Sequence, residues 1–409
     1  MLYFKEIFFS LMFFASSSLA LTLDEAIKIS LDTHPLIKSK KADFGSSVSD
    51  LDVAKWQRWF NFSAQTQRLS SKEPGYNNQN GLTASVEQPL YTGGKISGGI
   101  DEADAKLYGA REAIAEAFKQ VSIKVVDAYG NCLKYLQKVK YSEQNVVEHN
   151  RLYKSIQNRL TSGVSSEADV SLARARLNQA NSELSQFKIS LQNSLSALSI
   201  LMSKKVIEKD IEAFNFTPNY GSLDELTATV IKNSPTLRRL EYEIKQAESD
   251  KEIKKSALYP QVSMRYERYA GLAQEINGDR SRVFLVANMQ TGAGFSTVSS
   301  LESAEQKILS AKSSFESGKL DISEQLTSQY NEMRNYLSQV DDARDYVEQS
   351  DKVASSYERQ YIIGKRSWFD LLNSKKEAVD AKYNFADMEI GSSISAKKLA
   401  ILIAEESVK

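Results

Sequence analysis

The sequence predicts a mainly α-helical chain with a small β part, built by duplication. Three observations carry that prediction. Leu23-Asp24-Glu25 with His34-Pro35 returns as Leu223-Asp224-Glu225 with Ser234-Pro235, an offset of 200. Gly163 with Asp169 returns as Gly364 with Asp370, an offset of 201. Between these marks, each half runs in one order: a helix, two strands, then a very long helical hairpin. A period this long signals duplicated half-molecules rather than a solenoid of short units. The expected organisation is a leader at residues 1–20, a first repeat at 21–215 and a second at 216–409 of one intertwined domain.

The first twenty residues read as an export signal. Lys5 precedes an apolar run from Ile7 to Ala15, and Ser18-Leu19-Ala20 is a small-x-small cleavage site. The single cysteine, Cys132, cannot form an internal disulfide. Formal charge balances at 52 residues of each sign, which gives no footing for nucleic-acid binding. Mean hydropathy is −0.40. No stretch after the leader is apolar for the roughly 18 residues a membrane helix needs.

After the leader comes a helix, expected from Leu23 to about Lys55 and again from Leu223 to about Leu258. The strands follow. Phe60 to Gln67 alternates, a polar loop runs from Ser70 to Asn80, and Leu82 to Tyr91 returns. In the second half Gln261 to Tyr269 alternates with one slip, Leu272 to Ser281 is the loop, and Arg282 to Met289 returns. About nine or ten residues is the length a tilted strand needs to cross a bilayer. Four strands cannot close a barrel, and an open edge in lipid leaves backbone groups unpaired at several kcal/mol each. Either the four strands form an ordinary soluble sheet, or several chains pool them. The leader, the strand lengths and the flanking Trp56, Trp59, Tyr91, Tyr266 and Tyr269 favour pooling.

The long helices show as heptad seams. From Ile96 to Leu160, apolar positions step by three and four residues, with two fours in succession at Ala117, Val121 and Val125. From Leu301 to Tyr361 the pattern recurs, with its stutter at Gly318, Ile322 and Leu326. A stutter locally unwinds a left-handed supercoil. Its recurrence in register with the glycine marks argues for true duplication. A helix of this length spans on the order of 100 Å and must pack beside others. Small seam residues, Ala103, Ala110 and Ala117, allow close approach. His149 and Ser350 take equivalent seam positions and read as tolerated polar residues. Gly163 and Gly364 stop the helices, and a returning helix follows each, to about Met202 and Ile403. Ser165 or Ser166, and Ser367, are the expected N-caps.

Chemistry-bearing motifs are missing. His34 and His149 lie far apart and no metal-ligand spacing exists, so no metal site or cofactor is expected. Thr92-Gly93-Gly94-Lys95 and Thr291-Gly292-Ala293-Gly294 lack phosphate-loop spacing and read as flexible strand-to-helix junctions. No nucleophile elbow occurs, and no enzyme is expected.

Taken in order and duplicated, several short motifs resemble the TolC-type outer-membrane duct family over essentially all of the chain after the leader. They are Leu23-Asp24-Glu25-Ala26 with His34-Pro35, Leu223-Asp224-Glu225 with Asn233-Ser234-Pro235, Tyr259-Pro260, Gln88-Pro89-Leu90-Tyr91-Thr92-Gly93-Gly94, and the two hairpin tips. The resemblance implies a homotrimer: a 12-stranded β-barrel in outer-membrane lipid, continued by a periplasmic α-helical barrel. It implies partners, a periplasmic adaptor and an inner-membrane ABC or proton-driven transporter. It implies a gate at the periplasmic end. Asp370 matches an acidic ring position, Arg366 and Tyr361 match groups that bond across to the outer hairpin, and Asp169 matches their acceptor. The second ring position falls at Asn373, a departure from the best-known members. Further departures lie at Trp59-Phe60-Asn61 and Ala287-Asn288-Met289. The tips, Arg159, Leu160, Gly163 and Val164 in one and Ile363, Gly364 and Lys365 in the other, would meet the adaptor end-on. The implied activity is passive export, read first as type I protein secretion. Multidrug or metal efflux is the alternative, and a periplasmic coiled-coil scaffold is the reading from another class.

Overall fold

A computed structural model describes residues 21–69, 79–214, 216, 220–271, 281–290 and 292–404. The leader at residues 1–20 and most of both polar loops lie outside the described residues. In chain order the elements are α1 (Leu23–Thr33), α2 (Pro35–Trp56), β1 (Asn61–Leu69), β2 (Gln79–Tyr91), α3 (Lys95–Thr161) and α4 (Glu167–Met202). The second half gives α5 (Leu223–Asn233), α6 (Pro235–Lys255), β3 (Gln261–Gly271), β4 (Ser281–Asn288), α7 (Ser296–Ile362) and α8 (Trp368–Ile403). Helices α3 and α7 each have 67 residues, and α4 and α8 each have 36. Their boundaries repeat at an offset of 201, from Lys95 to Ser296 and from Met202 to Ile403.

Each leading helix, expected to be continuous, is broken in two. Proline lacks the N–H that a helix interior needs and drives the preceding residue out of the helical region. His34 and Ser234 accordingly take extended backbone, with ψ of 129° and 118°. Each then caps the helix that its proline opens. His34 Nδ1 accepts from the Leu36 amide at 3.2 Å, and Ser234 Oγ accepts from the Leu237 amide at 3.3 Å. Proline at the first helical position loses nothing, because that N–H would be unpaired anyway.

The described residues form two compact units, and both halves of the sequence contribute to each. The first takes residues within Met1–Thr33, Val121–Pro218 and Asn331–Lys398. Its packing rests on the predicted seams: Val121, Val125, Cys132, Val139 and Ile156 of α3, and Met333, Ala343 and Ala354 of α7, are buried. A second apolar row on α3, with Val126, Tyr129, Leu133 and Leu152, is buried too. The Tyr129 hydroxyl donates to the Leu21 carbonyl at 2.6 Å and accepts from the Glu212 amide at 3.1 Å. That fixes the first described residues and the connector after α4 to one buried side chain.

The second unit takes residues within His34–Gln120, Asn219–Tyr330 and Leu399–Lys409. It holds one antiparallel four-stranded sheet in the order β1-β2-β3-β4. Strand β2 pairs with β3 across the whole intervening hairpin, and a bulge shifts the register between Pro89 and Tyr91. At the exit of β2, Gly93 has φ of +62°, and an added Cβ would sit 2.8 Å from Tyr259 Cβ. The glycine is there for left-handed backbone and close approach rather than for flexibility. Helix α6 lies against α3 in this unit: the Arg239 guanidinium pairs with Glu116 at 2.8 Å, and Tyr242 stacks on Tyr108 at 5.4 Å.

Candidate gate, docking tips and membrane sheet

The two hairpin tips are built by the same backbone rule. Gly163 has φ of +74° and Gly364 of +77°, the left-handed conformation that L side chains rarely adopt. The Val164 amide bonds back to the Arg159 carbonyl at 2.9 Å, and the Lys365 amide bonds back to the Gln360 carbonyl at 2.9 Å. These bonds satisfy carbonyls that a helix end leaves unpaired. The returning helices start on serine. Ser166 Oγ accepts from the Asp169 amide at 3.2 Å, and Ser367 Oγ accepts from the Asp370 amide at 3.1 Å.

Side chains then set the tips apart. The Asp169 carboxylate closes a capping box, accepting from the Ser166 amide at 3.1 Å and from its hydroxyl at 2.9 Å. The Asp370 carboxylate lies 4.0 Å from Arg366, and its side chain is 40% exposed. Arg366 donates to Gln360 at 3.2 Å and stacks its guanidinium over the Tyr357 ring at 4.3 Å. The structure therefore does not bring Arg366 to Asp169 within one chain, because the cap already holds the Asp169 carboxylate.

Tyr361 is held by different partners. Its ring lies 4.9 Å from the Arg159 guanidinium and 5.3 Å from the Trp368 ring. Burial pushes its hydroxyl pKa up, Arg159 pulls it down, and Asp169 adds to the rise. Arg159 and Tyr361 thus join the two tips by a cation–ring contact. Asn373 accepts from Arg176 of α4 at 3.3 Å. Leu160 is half-buried, while Gly163, Val164, Ile363, Gly364 and Lys365 are exposed. Val164 is 64%, Ile362 68% and Ile363 65% exposed, a concentration of bare apolar surface at the end of both hairpins.

Behind the tips lies a core of which the predicted seam marks only Ile156. Leu152 and Ile156 of α3, Ala173 of α4 and Trp368, Leu371 and Leu372 of α8 are buried together. The available signal was Trp368 itself, an aromatic residue directly after the N-cap serine. One turn farther along, Glu148 and Arg151 of α3, Glu358 of α7 and Lys375 of α8 form four ion pairs, of which Arg151–Glu358 and Lys375–Glu148 run between hairpins. His149 is buried beside them with Nδ1 unpartnered, and burial holds its pKa below the ordinary value. Ser350, at the equivalent seam position, returns its hydroxyl to the Tyr346 carbonyl at 2.6 Å. Cys132 is buried and its thiol pKa is pushed up to about 12 by desolvation, so it carries almost no thiolate. Among the described residues, no group of three or more His, Cys, Asp or Glu side chains could hold a metal ion.

The sheet has two unlike faces. Its register aligns Phe62, Val86, Tyr266 and Val283 in one row across all four strands. Met264 and Leu285 lie on that same face, and with Phe62, Tyr266 and Val283 they are exposed. The opposite face joins Ser63 to Ser85 at 2.7 Å, Ser263 to Glu87 at 2.5 Å and Arg265 to Glu87 at 2.9 Å. Pro89, Phe284 and Val286 are apolar positions on that face. Strands β1 and β4 are the edges of the sheet, and neither pairs onward among the described residues. No helix among the described residues is long and apolar enough to cross a membrane.

The outer membrane efflux protein family model matches residues 59–203 and 226–403. The chain belongs to that family. Both matched segments contain a strand pair and a long hairpin, so the family pattern covers each repeat. The family description names efflux and sides with the efflux alternative rather than with the first reading, type I secretion. Solved structures agree on the fold. The outer-membrane channel OprN is 18% identical with a TM-score of 0.83, covering 94% of this chain and 90% of its own. The outer membrane channel CmeC of Campylobacter jejuni is 14% identical with a TM-score of 0.81, covering 93% and 85%. The outer membrane protein VceC of Vibrio cholerae is 15% identical with a TM-score of 0.78, covering 93% and 95%. No curated protein sequence matches this chain.

Proposed function

We propose that this protein is the outer-membrane channel of a tripartite efflux system. The observation that carries the reading is the sheet: four strands with one exposed apolar face, one polar face and two open edges. A sheet edge in lipid is tolerated only when closed against another strand. Three copies supply 12 strands, with the row of Phe62, Val86, Tyr266 and Val283 toward lipid and the Glu87–Arg265 face toward the lumen. The long hairpins continue the passage into the periplasm. The chain performs no chemistry on its cargo.

In this assembly Asp370 places three carboxylates around the periplasmic opening, and Asn373 adds three neutral amides in place of a second acidic ring. Tyr361, Arg366 and Asp169 act at the same level. The exposed apolar ends, with Val164, Ile363 and Lys365, dock the periplasmic adaptor. An inner-membrane transporter, ABC-type or proton-driven, supplies the energy.

A deletion strain tests the reading in two ways, by sensitivity to dyes, detergents, antibiotics and metals, and by mass spectrometry of the culture supernatant. Broad hypersensitivity with an unchanged supernatant is the expected result. Loss of a few large secreted proteins with unchanged sensitivity would overturn efflux in favour of protein secretion.

A further inference from the structure

All four junctions between sheet and helices fall at one end of the sheet. Strands β1 and β3 begin there, at Asn61 and Gln261, and β2 and β4 end there, at Tyr91 and Asn288. The junctions are fixed to one another. Gln88 Nε2 donates to the Arg58 carbonyl at 2.9 Å, and Gly93 packs closely on Tyr259. The apolar face runs into them. Alternation from Phe62 reaches Phe60, alternation from Leu285 reaches Met289, and the bulge after Pro89 sets Tyr91 opposite Val262 on the same face. Phe60, Tyr91 and Met289 are exposed, as are Tyr259 and the Trp56 and Trp59 rings, 6.4 Å apart. Rings with a polar tip suit the boundary between lipid chains and water.

Charge at the junctions has one sign, although the whole chain balances at 52 of each. Residues 53–60, 88–100, 253–264 and 284–301 contain Lys55, Arg58, Lys95, Lys254 and Lys255 and no aspartate or glutamate. Lys254 and Lys255 reach back to Asp250 and Glu252, each at 3.4 Å. Lys55, Arg58 and Lys95 are exposed and form no ion pair among the described residues. A base in the last turn of α2, such as Lys55, suits the helix dipole, but Lys95 at the first residue of α3 opposes it. Helix electrostatics alone therefore do not account for the band. Helices α3 and α7 both start here with no acidic residue in the first turn, which leaves their positive ends uncompensated.

We propose that this junction is a collar that selects anionic phospholipids of the periplasmic leaflet, with Lys55, Arg58 and Lys95 on the headgroup phosphates and Trp56, Trp59 and Tyr259 among the upper chain carbons. The inference rests on the duct reading above, which puts the apolar face in lipid, and adds to it the class of lipid. A zwitterionic headgroup brings its own cation, which these bases repel. An anionic headgroup brings a net negative charge to bases that have no acid of their own, and the Arg58 guanidinium can hold a phosphate by two bonds.

The test is lipid retention by the full-length protein in detergent, titrated with phosphatidylglycerol or with phosphatidylcholine of identical chains and read by native mass spectrometry. Phosphatidylglycerol should be retained about fivefold more tightly, the scale of one base meeting one net headgroup charge. The triple variant Lys55→Gln, Arg58→Gln, Lys95→Gln should bring the two lipids to parity. Lys352→Gln, which removes an exposed base in the other compact unit, should leave the preference intact. Trp56→Ala with Trp59→Ala should weaken both lipids alike. A salt series on the unaltered protein gives an answer that needs no variant to fold: the preference should shrink as salt rises. Equal retention of the two lipids, a preference that survives the triple variant or high salt, parity produced by Lys352→Gln, or loss of one lipid alone in the tryptophan variant would overturn the collar and leave the duct reading standing. Retention of neither lipid would overturn the duct reading itself.

Discussion

The two hairpin tips share one backbone and use different side chains. Gly163 and Gly364, three residues before Ser166 and Ser367, set the same left-handed turn and the same capped restart. At equivalent positions, an offset of 201 apart, Arg159 corresponds to Gln360, Glu167 to Trp368 and Asp169 to Asp370. Glu167 is exposed, whereas Trp368 is 6% exposed and anchors the core behind the tips. Asp169 is locked into its capping box, whereas Asp370 keeps an open carboxylate. Duplication has preserved the turn and let the chemistry diverge. The first tip spends its aspartate on the helix cap, and the second leaves its aspartate open.

That division can be broken experimentally. Trp368→Ala should cost about 3–5 kcal/mol of stability, the usual loss for a buried aromatic. Glu167→Ala at the matching position should stay within about 0.5 kcal/mol. Denaturant unfolding of both variants checks this, and equal losses would mean the tips are not differentiated. Gly163→Val and Gly364→Val should each cost about 1–2 kcal/mol, because left-handed backbone penalises a side chain even in open space. Here the two tips should agree, and a clear difference would show that the shared backbone is not the determinant.

The aspartates sharpen the contrast. Asp169→Asn should lose up to about 1 kcal/mol through the weakened cap and leave ion selectivity unchanged. Asp370→Asn should leave unfolding nearly unchanged and reduce cation preference, measured as reversal potential in asymmetric salt. His149 gives the smallest effect. Glu148 on its own helix, Arg176 of α4 and Lys375 of α8 are the charges acting on it. Its folded pKa lies below 6.5, so the neutral ring contributes stability above about pH 6.5, and this is lost as pH falls through the depressed value. Melting temperature should decline modestly between pH 7 and 5, and His149→Gln should flatten that slope.

Most of the fold was legible because its signals are long or duplicated. The heptad seams, the stutter and the glycine stops each extend over many turns or occur twice, and α3 and α7 fall where the seams placed them. Each leading helix was drawn straight through His34-Pro35 or Ser234-Pro235, where the residue before proline takes extended backbone and the helix breaks. The tip positions were legible, but their partners were not. Asp169 carries both a capping-box pattern and a family-implied role as acceptor, and sequence alone does not rank the two. The ion pairs among Glu148, Arg151, Glu358 and Lys375 were invisible because these residues lie on three helices. Only the i,i+3 spacing of Glu148 and Arg151 is local.

The account turns on three copies pooling their strands in a membrane. Native mass spectrometry of the protein extracted from outer membranes tests this most directly. A trimer released only by detergent is the predicted result. A single chain, or release by osmotic shock without detergent, would contradict the barrel and restore the reading of a soluble periplasmic scaffold.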